Sequence, residues 1–520
     1  MSAINHLYKF RAELYKLFPS RRDAITELID AISSYGHCCK SIVELCEAPC
    51  FTREYTSITD AVSDGLGNAD FKKIENLVFE HCTKGYASDY YLFGTDVTPN
   101  PRPHAKTLED RSIVHASNYT PGQKPIALGH QYSVTAWMPT DEADKNKHWL
   151  VPIAAARVPS SKSPNEFGIT QLTDLISQLG LDDQLVVGVA DSAYGSQACR
   201  QQAGKNDNFV HIYRLKGNRK VYSQPKAQAS KRQKYGEKMV LNNDKAHKAP
   251  DEEKITKRIS ANGTEYKVKL SRWHNMLFRG TREFKSYNHP FDILKVEMRP
   301  VKENGDIGDL VGKPMWLTVY GKRRSEISTI NVYRNYSQRF DLEHFFRFGK
   351  NKLLMTSYQT PDVTNEEQFA KLCMVAHAQL FLARNDGDLH LKKWEGYGKS
   401  STIKNGDDKK TLTPTQAQRS FSSILNKVGT FALPAKKRGK SLGRQEGDKQ
   451  VKREKPPIVI KGDGYNQNPS IQLVGFEKNA VCPNLESFTS AVEALPKKLE
   501  SFGFSPEIFT RILQDAASSG

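Results

Sequence analysis

Leu185-Val-Val-Gly-Val-Ala190 is an unbroken apolar run that ends on Asp191. A strand with no polar alternation must be covered on both faces, as in the centre of an α/β sheet. A chain holding such a strand therefore needs helices on both sides of a sheet. The neighbouring segments supply the rest of that architecture. Tyr90-Tyr-Leu-Phe-Gly-Thr-Asp96-Val-Thr reads as a strand, as do Tyr132 to Met138, Trp149 to Val158 and Phe209 to Leu215. Asn165 to Leu179 reads as a helix closed by Gly180. The first strand is expected to end at Asp96, and Asp191 directly follows the buried one. Acids there point at the mouth of an α/β sheet, where sites usually form.

A second pattern lies downstream. Tyr336-Ser-Gln-Arg339-Phe-Asp-Leu-Glu343, continued to Lys350, fits Y-x2-R-x3-E-x6-K. At about 100° per residue, one α-helix would carry all four side chains on a single stripe. An acid flanked by cations suits a site that holds a divalent metal and a phosphate together. Taken alone, the stripe also fits an exposed helix face laced with ion pairs. With Asp96 and Asp191 upstream, Glu343 completes a set of three candidate metal ligands. Hard carboxylate oxygens suit two Mg²⁺ ions, with Mn²⁺ as a substitute.

The organisation expected along the chain has six segments. Residues 1–85 read as a helical N-terminal domain with a DNA-binding role, with Thr52 and Ser57 as helix caps. Residues 86–215 form the first part of the catalytic core. Residues 216–312 form a basic β-rich insertion, in which Asn262-Gly263 marks a hairpin turn. Residues 313–395 return to the core with the Glu343 helix and an amphipathic helix from Glu366 to Arg384. Residues 396–460 hold a helix opened by Thr413-Pro414-Thr-Gln416 and a flexible basic arm. Residues 461–520 have no assigned role beyond a helix from Pro506 to Ala517.

Charge narrows the partners. Lys and Arg number 76 against 58 Asp and Glu, a net +18 in 520 residues. Nine Lys/Arg face one acid between Arg214 and Lys238, and nine face three acids between Lys436 and Lys455. Such an excess favours a polyanion, most often nucleic acid. No apolar run reaches membrane-spanning length, so no membrane partner is expected, and the expected compartment is a reducing cytoplasm. His37, Cys38, Cys39, Cys46 and Cys50 cluster without C-x2-C spacing, which reads as core packing in preference to zinc.

The segments Gly-Thr-Asp96, Ala-Asp191-Ser-Ala-Tyr-Gly and Tyr336/Arg339/Glu343/Lys350 stand in an order that resembles bacterial insertion-sequence transposases of the DDE class, the branch with the Tyr-Arg-Glu-Lys signature. The resemblance spans roughly residues 40 to 440. It implies a ribonuclease-H-like catalytic domain with a β-rich insertion before the catalytic Glu. It implies Mg²⁺ on Asp96, Asp191 and Glu343, and DNA phosphates on Tyr336, Arg339 and Lys350. Trp316 falls where relatives place a tryptophan that stacks on a flipped base, though core packing in a strand is the favoured reading of that residue. The implied activity is cut-and-paste transposition through a hairpin, by a homodimer holding double-stranded terminal inverted repeats and target DNA at the nucleoid. A transposase-derived DNA-binding protein that no longer cuts, and a ribonuclease-H-like nuclease without strand transfer, are the competing readings.

Overall fold

The computed structural model describes residues 3–116, 125–226, 228, 230, 232–260, 263–302, 304–386 and 411–436, with isolated positions 443, 447, 449, 455 and 458. Most of the expected basic arm, and everything from 460 onward including the expected last helix, lies outside these residues.

Helices α1 (Ala3–Leu17), α2 (Arg22–Tyr35), α3 (Thr56–Asp60) and α4 (Phe71–Thr83) precede strand β1 (Tyr91–Pro101). Next come β2 (Ser112–His115), β3 (Ile126–Trp137), a short α5 (Glu142–Lys145), β4 (Val151–Arg157), α6 (Pro164–Gln178), β5 (Val186–Ala190), α7 (Gln197–Ala203) and β6 (Phe209–Leu215). The basic segment holds β7 (Lys220–Tyr222), β8 (Lys238–Val240), β9 (Glu252–Ile259), β10 (Glu265–Met276) and β11 (Phe291–Pro300). Strand β12 (Met315–Tyr320) leads to α8 (Thr329–Gln338), α9 (Phe340–Lys352), α10 (Val363–Ala383) and α11 (Pro414–Val428).

The large sheet runs β2-β3-β1-β5-β6-β12-β11-β10-β9, with β4 also on β3. Strands β1, β5 and β6 are parallel, and the other pairs are antiparallel. All five residues of β5 are buried, as its unbroken apolar composition requires. This is the mixed α/β fold expected from the strand and helix pattern. The β-rich insertion is present between β6 and β12, and three of its strands extend the main sheet. The reason lies in β11, whose buried Phe291, Ile293, Leu294 and Val296 need cover that a free hairpin cannot supply. Only β7 and β8 form a ribbon of their own. The β9–β10 hairpin forms as expected, with Ile259 opposite Glu265 and Gly263 at φ +83°.

The N-terminal helices share one hydrophobic core with the sheet and with α10. Arg11 on α1, Asp30 on α2 and Gln379 on α10 form a buried polar cluster, with Arg11 Nη2 donating to Asp30 Oδ2 at 2.8 Å and Nη1 to Gln379 Oε1 at 2.6 Å. Helix α10 departs from the amphipathic expectation. From Gln368 to Ala383 nearly every residue is buried except Lys371, because the helix packs against β4 as well as against α2 and α11. Thr52 and Ser57 are not caps either. Thr52 bonds Glu27 through both its N–H and its hydroxyl, each at 2.9 Å, and Ser57 sits within α3. The Thr413 capping box on α11 is formed.

Candidate active site

Parallel pairing brings the two aspartates level. Gly94 on β1 lies opposite Val189 on β5, so two residues further along both chains Asp96 stands beside Asp191. Neighbouring strands are about 4.8 Å apart. Each carboxylate is oriented by a backbone donor: the Val97 N–H bonds Asp96 Oδ1 at 2.8 Å, and the Ala193 N–H bonds Asp191 Oδ1 at 2.8 Å. The second bond makes Asp191 the cap of a 3₁₀ turn over Ser192–Gly195. Helix α9 reaches the pair because Gly94 leaves room for it. A Cβ at Gly94 would come within 2.9 Å of Leu342 Cδ1 and 2.3 Å of Met138 Cε. Leu342 is fully buried, and the next residue, Glu343, extends toward the aspartates.

One guanidinium serves this group of acids. Arg339 Nη2 lies 3.0 Å from Glu343 Oε1, and Nη1 lies 3.8 Å from Asp96 Oδ2. Burial pushes the Asp96 carboxyl up to about 6, against the Val97 bond; the negative charges of Asp191 and Glu343 raise it further, and Arg339 only partly offsets them. The Tyr194 hydroxyl lies by the same acids, buried and without a hydrogen-bond partner. Burial first, then Asp96 and Asp191, hold its phenol well above its ordinary range. Among the described residues, no three His, Cys, Asp or Glu side chains stand arranged to hold a metal ion. Arg339 spans Asp96 and Glu343 instead. The donor set of three carboxylates with excess negative charge still fits a hard divalent cation, once Arg339 turns aside.

The signature stripe is not one helix. Arg339 closes α8 and opens α9, and the chain tightens there, with Arg339 N–H bonded to Tyr336 O and Leu342 N–H to Arg339 O. The break is shallow because Arg339 keeps helical dihedrals, φ −48° and ψ −30°. Tyr336, Arg339 and Glu343 stay together, with the Arg339 guanidinium 5.9 Å from the centre of the Tyr336 ring. Tyr336 is buried, and its phenol is raised by that burial against the pull of Arg339 and of Arg214 on β6. Arg214 is exposed at the site's edge and is the first cation of the basic segment. Lys350 stands apart from the acids. Its Nζ donates to Pro99 O at 2.7 Å, and burial lowers the amine to about 8.

Trp316 does not face the site as a stacking surface. It is 2 % exposed on β12, with Trp273 at 5.6 Å, His247 edge-on at 5.3 Å and Lys295 Nζ 5.9 Å from its ring centre. Trp273, His247 and Lys295 cover the ring on its face of the sheet. As the chain stands, no ring face is left for a base. Of the two readings the sequence left open for Trp316, its burial favours core packing.

Beside Glu343 lies a pair that sequence reading did not isolate. His148 Nδ1 is 2.7 Å from Asp341 Oδ1, and the His148 and His344 rings stack at 4.4 Å. The bond to Asp341 raises His148, while burial first and then His148 lower His344. Nothing local marks His148, which lies in a polar loop nearly two hundred residues before its partner.

Acids level on adjacent parallel strands, with a third acid on a helix laid against them, define a ribonuclease-H-like domain of the DDE class. The model for the DDE superfamily endonuclease family matches residues 13–279, a little over half of the chain, and the chain belongs to that family. Asp96 and Asp191 fall inside the matched span and Glu343 beyond it. A search of curated proteins gives no match. Among the described residues, no helix is long and apolar enough to cross a membrane, and the cysteines are all free.

Proposed function

We propose that this chain is a DNA transposase of the Tyr-Arg-Glu-Lys branch, which cuts and joins the ends of its own element. The observation that carries this reading is the level placement of Asp96 and Asp191, joined to Glu343 through a single shared arginine. In this reading Asp96, Asp191 and Glu343 hold two Mg²⁺ ions, for which Mn²⁺ can substitute. Metal held there would lower the pKa of an attacking water and neutralise the leaving oxygen of an in-line displacement.

The chain's own residues do the rest. Asp96 must release its proton before it can act as a ligand. Arg339, if released from the carboxylates, would fork onto a DNA phosphate. Tyr336 holds that guanidinium in position. Lys350, tied to the end of β1, is the least direct of the three phosphate-binding candidates, and Arg214 joins them at the site's edge. The same site would nick the transposon end, let the freed 3′-hydroxyl attack the opposite strand to form a hairpin, reopen it and join the end to target DNA. The substrate is double-stranded DNA bearing terminal inverted repeats, held by two copies of the chain at the nucleoid.

The test is a reaction of the full chain with Mg²⁺ and DNA carrying the inverted repeats that flank its gene. Hairpin ends and joined products are expected. Cleavage without joining would reduce the reading to a nuclease, and binding without cleavage to a DNA-binding protein.

A further inference from the structure

The outer strand of the large sheet, β9, has an unpaired edge among the described residues. It is eight residues long and carries two of the most exposed isoleucines in the molecule, Ile255 at 58 % and Ile259 at 70 %. Five of its eight residues are charged, as edge strands usually are, so only a strand of matching charge can pair with it.

The phase of the edge follows from the hairpin. Ser260 N–H donates to Thr264 O at 2.9 Å, so Ser260 bonds inward. Alternate residues of an antiparallel strand bond to the same side. Arg258, Thr256, Lys254 and Glu252 therefore bond β10, while Glu253, Ile255, Lys257 and Ile259 direct N–H and C=O out of the sheet. Glu265, opposite Ile259, agrees: its carbonyl accepts from Val301 N–H on the far side at 2.8 Å.

A second copy pairing antiparallel must obey this phase, and a two-fold axis then passes through one residue. Charge selects which. With the axis at Lys257 or at Glu253, identical charges face each other. At Lys254 two lysines meet, and at Thr256 Lys254 meets Arg258. With the axis at Ile255, Glu253 faces Lys257, Glu252 faces Arg258, Lys254 faces Thr256, and the two Ile255 side chains meet. Opposite charges across a strand pair stabilise it and like charges destabilise it. Of these five registers, the one centred on Ile255 places opposite charges at both acid positions and no like charges.

We infer that β9 is a self-complementary edge through which two copies of this chain join their sheets into one, with the two-fold axis at Ile255. Such an isologous contact closes on itself and gives a dimer, not a fibre. Within one copy Glu253 pairs with Lys269 and Lys257 with Glu265, each at 2.8 Å, and the facing strand would add a second partner to each. The inference deepens the reading of a chain that works in pairs, yet its test uses no DNA. Failure of the pairing and failure of the nuclease are thus read separately.

The test is sedimentation of the full chain over a range of concentrations, together with thiol cross-linking. Ile255→Cys should form a disulfide-linked dimer, since facing residues of a hydrogen-bonded antiparallel pair have Cα atoms about 5.5 Å apart. Ile259→Cys, which would face Asp251 of the other copy, should cross-link no faster than the unchanged chain with its exposed Cys38. Glu253→Lys and Lys257→Glu should each weaken the dimer about tenfold, because each reverses two symmetric pairs. An equimolar mixture of these two variants should restore it, which also shows that both are folded. A monomer at every concentration, or a dimer indifferent to all four changes, would overturn the inference.

Discussion

Strand β1 touches two groups of acids whose surroundings are opposite in kind. At Asn100 and Arg102, near and just past its end, it meets Glu366 of α10. Glu366 is buried and accepts from Asn100 Nδ2 at 2.6 Å, Arg102 Nη1 at 2.8 Å and the Tyr132 hydroxyl at 2.9 Å, with His130 Nδ1 at 3.4 Å. Burial alone would raise its carboxyl, but His130 and Arg102 outweigh that and hold it below the ordinary range. At Asp96 the balance is reversed. Arg339 spans only Asp96 and Glu343, with Asp191 close by, and the Asp96 carboxyl is pushed up to about 6. A buried acid with donors on every side holds structure together. An acid that faces other acids with too little positive charge is held ready for a cation from outside.

This contrast can be broken or sharpened by experiment. Asp191→Asn should lower DNA cleavage at least ~1,000-fold, the loss of a metal ligand at a site of this kind, while end binding stays nearly unchanged in a mobility-shift assay. Unchanged cutting would remove Asp191 from the site. Glu366→Ala should act on stability instead. It leaves Arg102 buried without its partner, and unfolding in urea should show a loss of about 3–5 kcal/mol. A loss near zero would mean that the cluster is not structural.

The pH dependence of the two groups should differ as well. The Asp96 carboxylate must be ionised to bind a cation, so cleavage should fall about tenfold per pH unit below about 6. A rate that stays flat down to pH 5 would place the proton elsewhere. The smallest effect concerns stability at Asp96. Its folded pKa lies above the ordinary value, so the folded form binds the proton more tightly, and ionised Asp96 costs stability that is lost as pH rises from about 4 to about 6. Asp96→Asn should therefore raise metal-free stability at pH 7.5 by about 1–2 kcal/mol, with the gain vanishing near pH 4. A variant less stable than the parent at pH 7.5 would contradict the charge imbalance.

Much of the core strand set was legible beforehand. Leu185 to Ala190 could only be covered on both faces, and the strands holding Asp96, Val134, Ile153 and Ile212 showed apolar patterns of their own. The spacing from Tyr336 to Glu343 located the third acid because three- and seven-residue steps bring side chains to one helical face. Other features were hidden in chain segments that give no local sign of their neighbours. Helix α10 looked amphipathic, yet β4 covers what would have been its wet side. Trp316 left base stacking and core packing both open, and Trp273 and His247, distant in the chain, bury it. His148 and Asp341, like Glu366 and Arg102, meet across more than a hundred residues.

Sequence by itself determined the element types, the acid that directly follows β5 and the excess of positive charge, because period and composition are properties of short stretches; the strand expected to end at Asp96 instead runs on to Pro101. Tertiary structure alone decided that Asp96 stands level with Asp191, that Arg339 reaches Asp96, and that β9 ends the sheet with an open edge among the described residues. Strand order and register are set by contacts between segments far apart in the chain, and side-chain periodicity carries no record of which partner a strand will find.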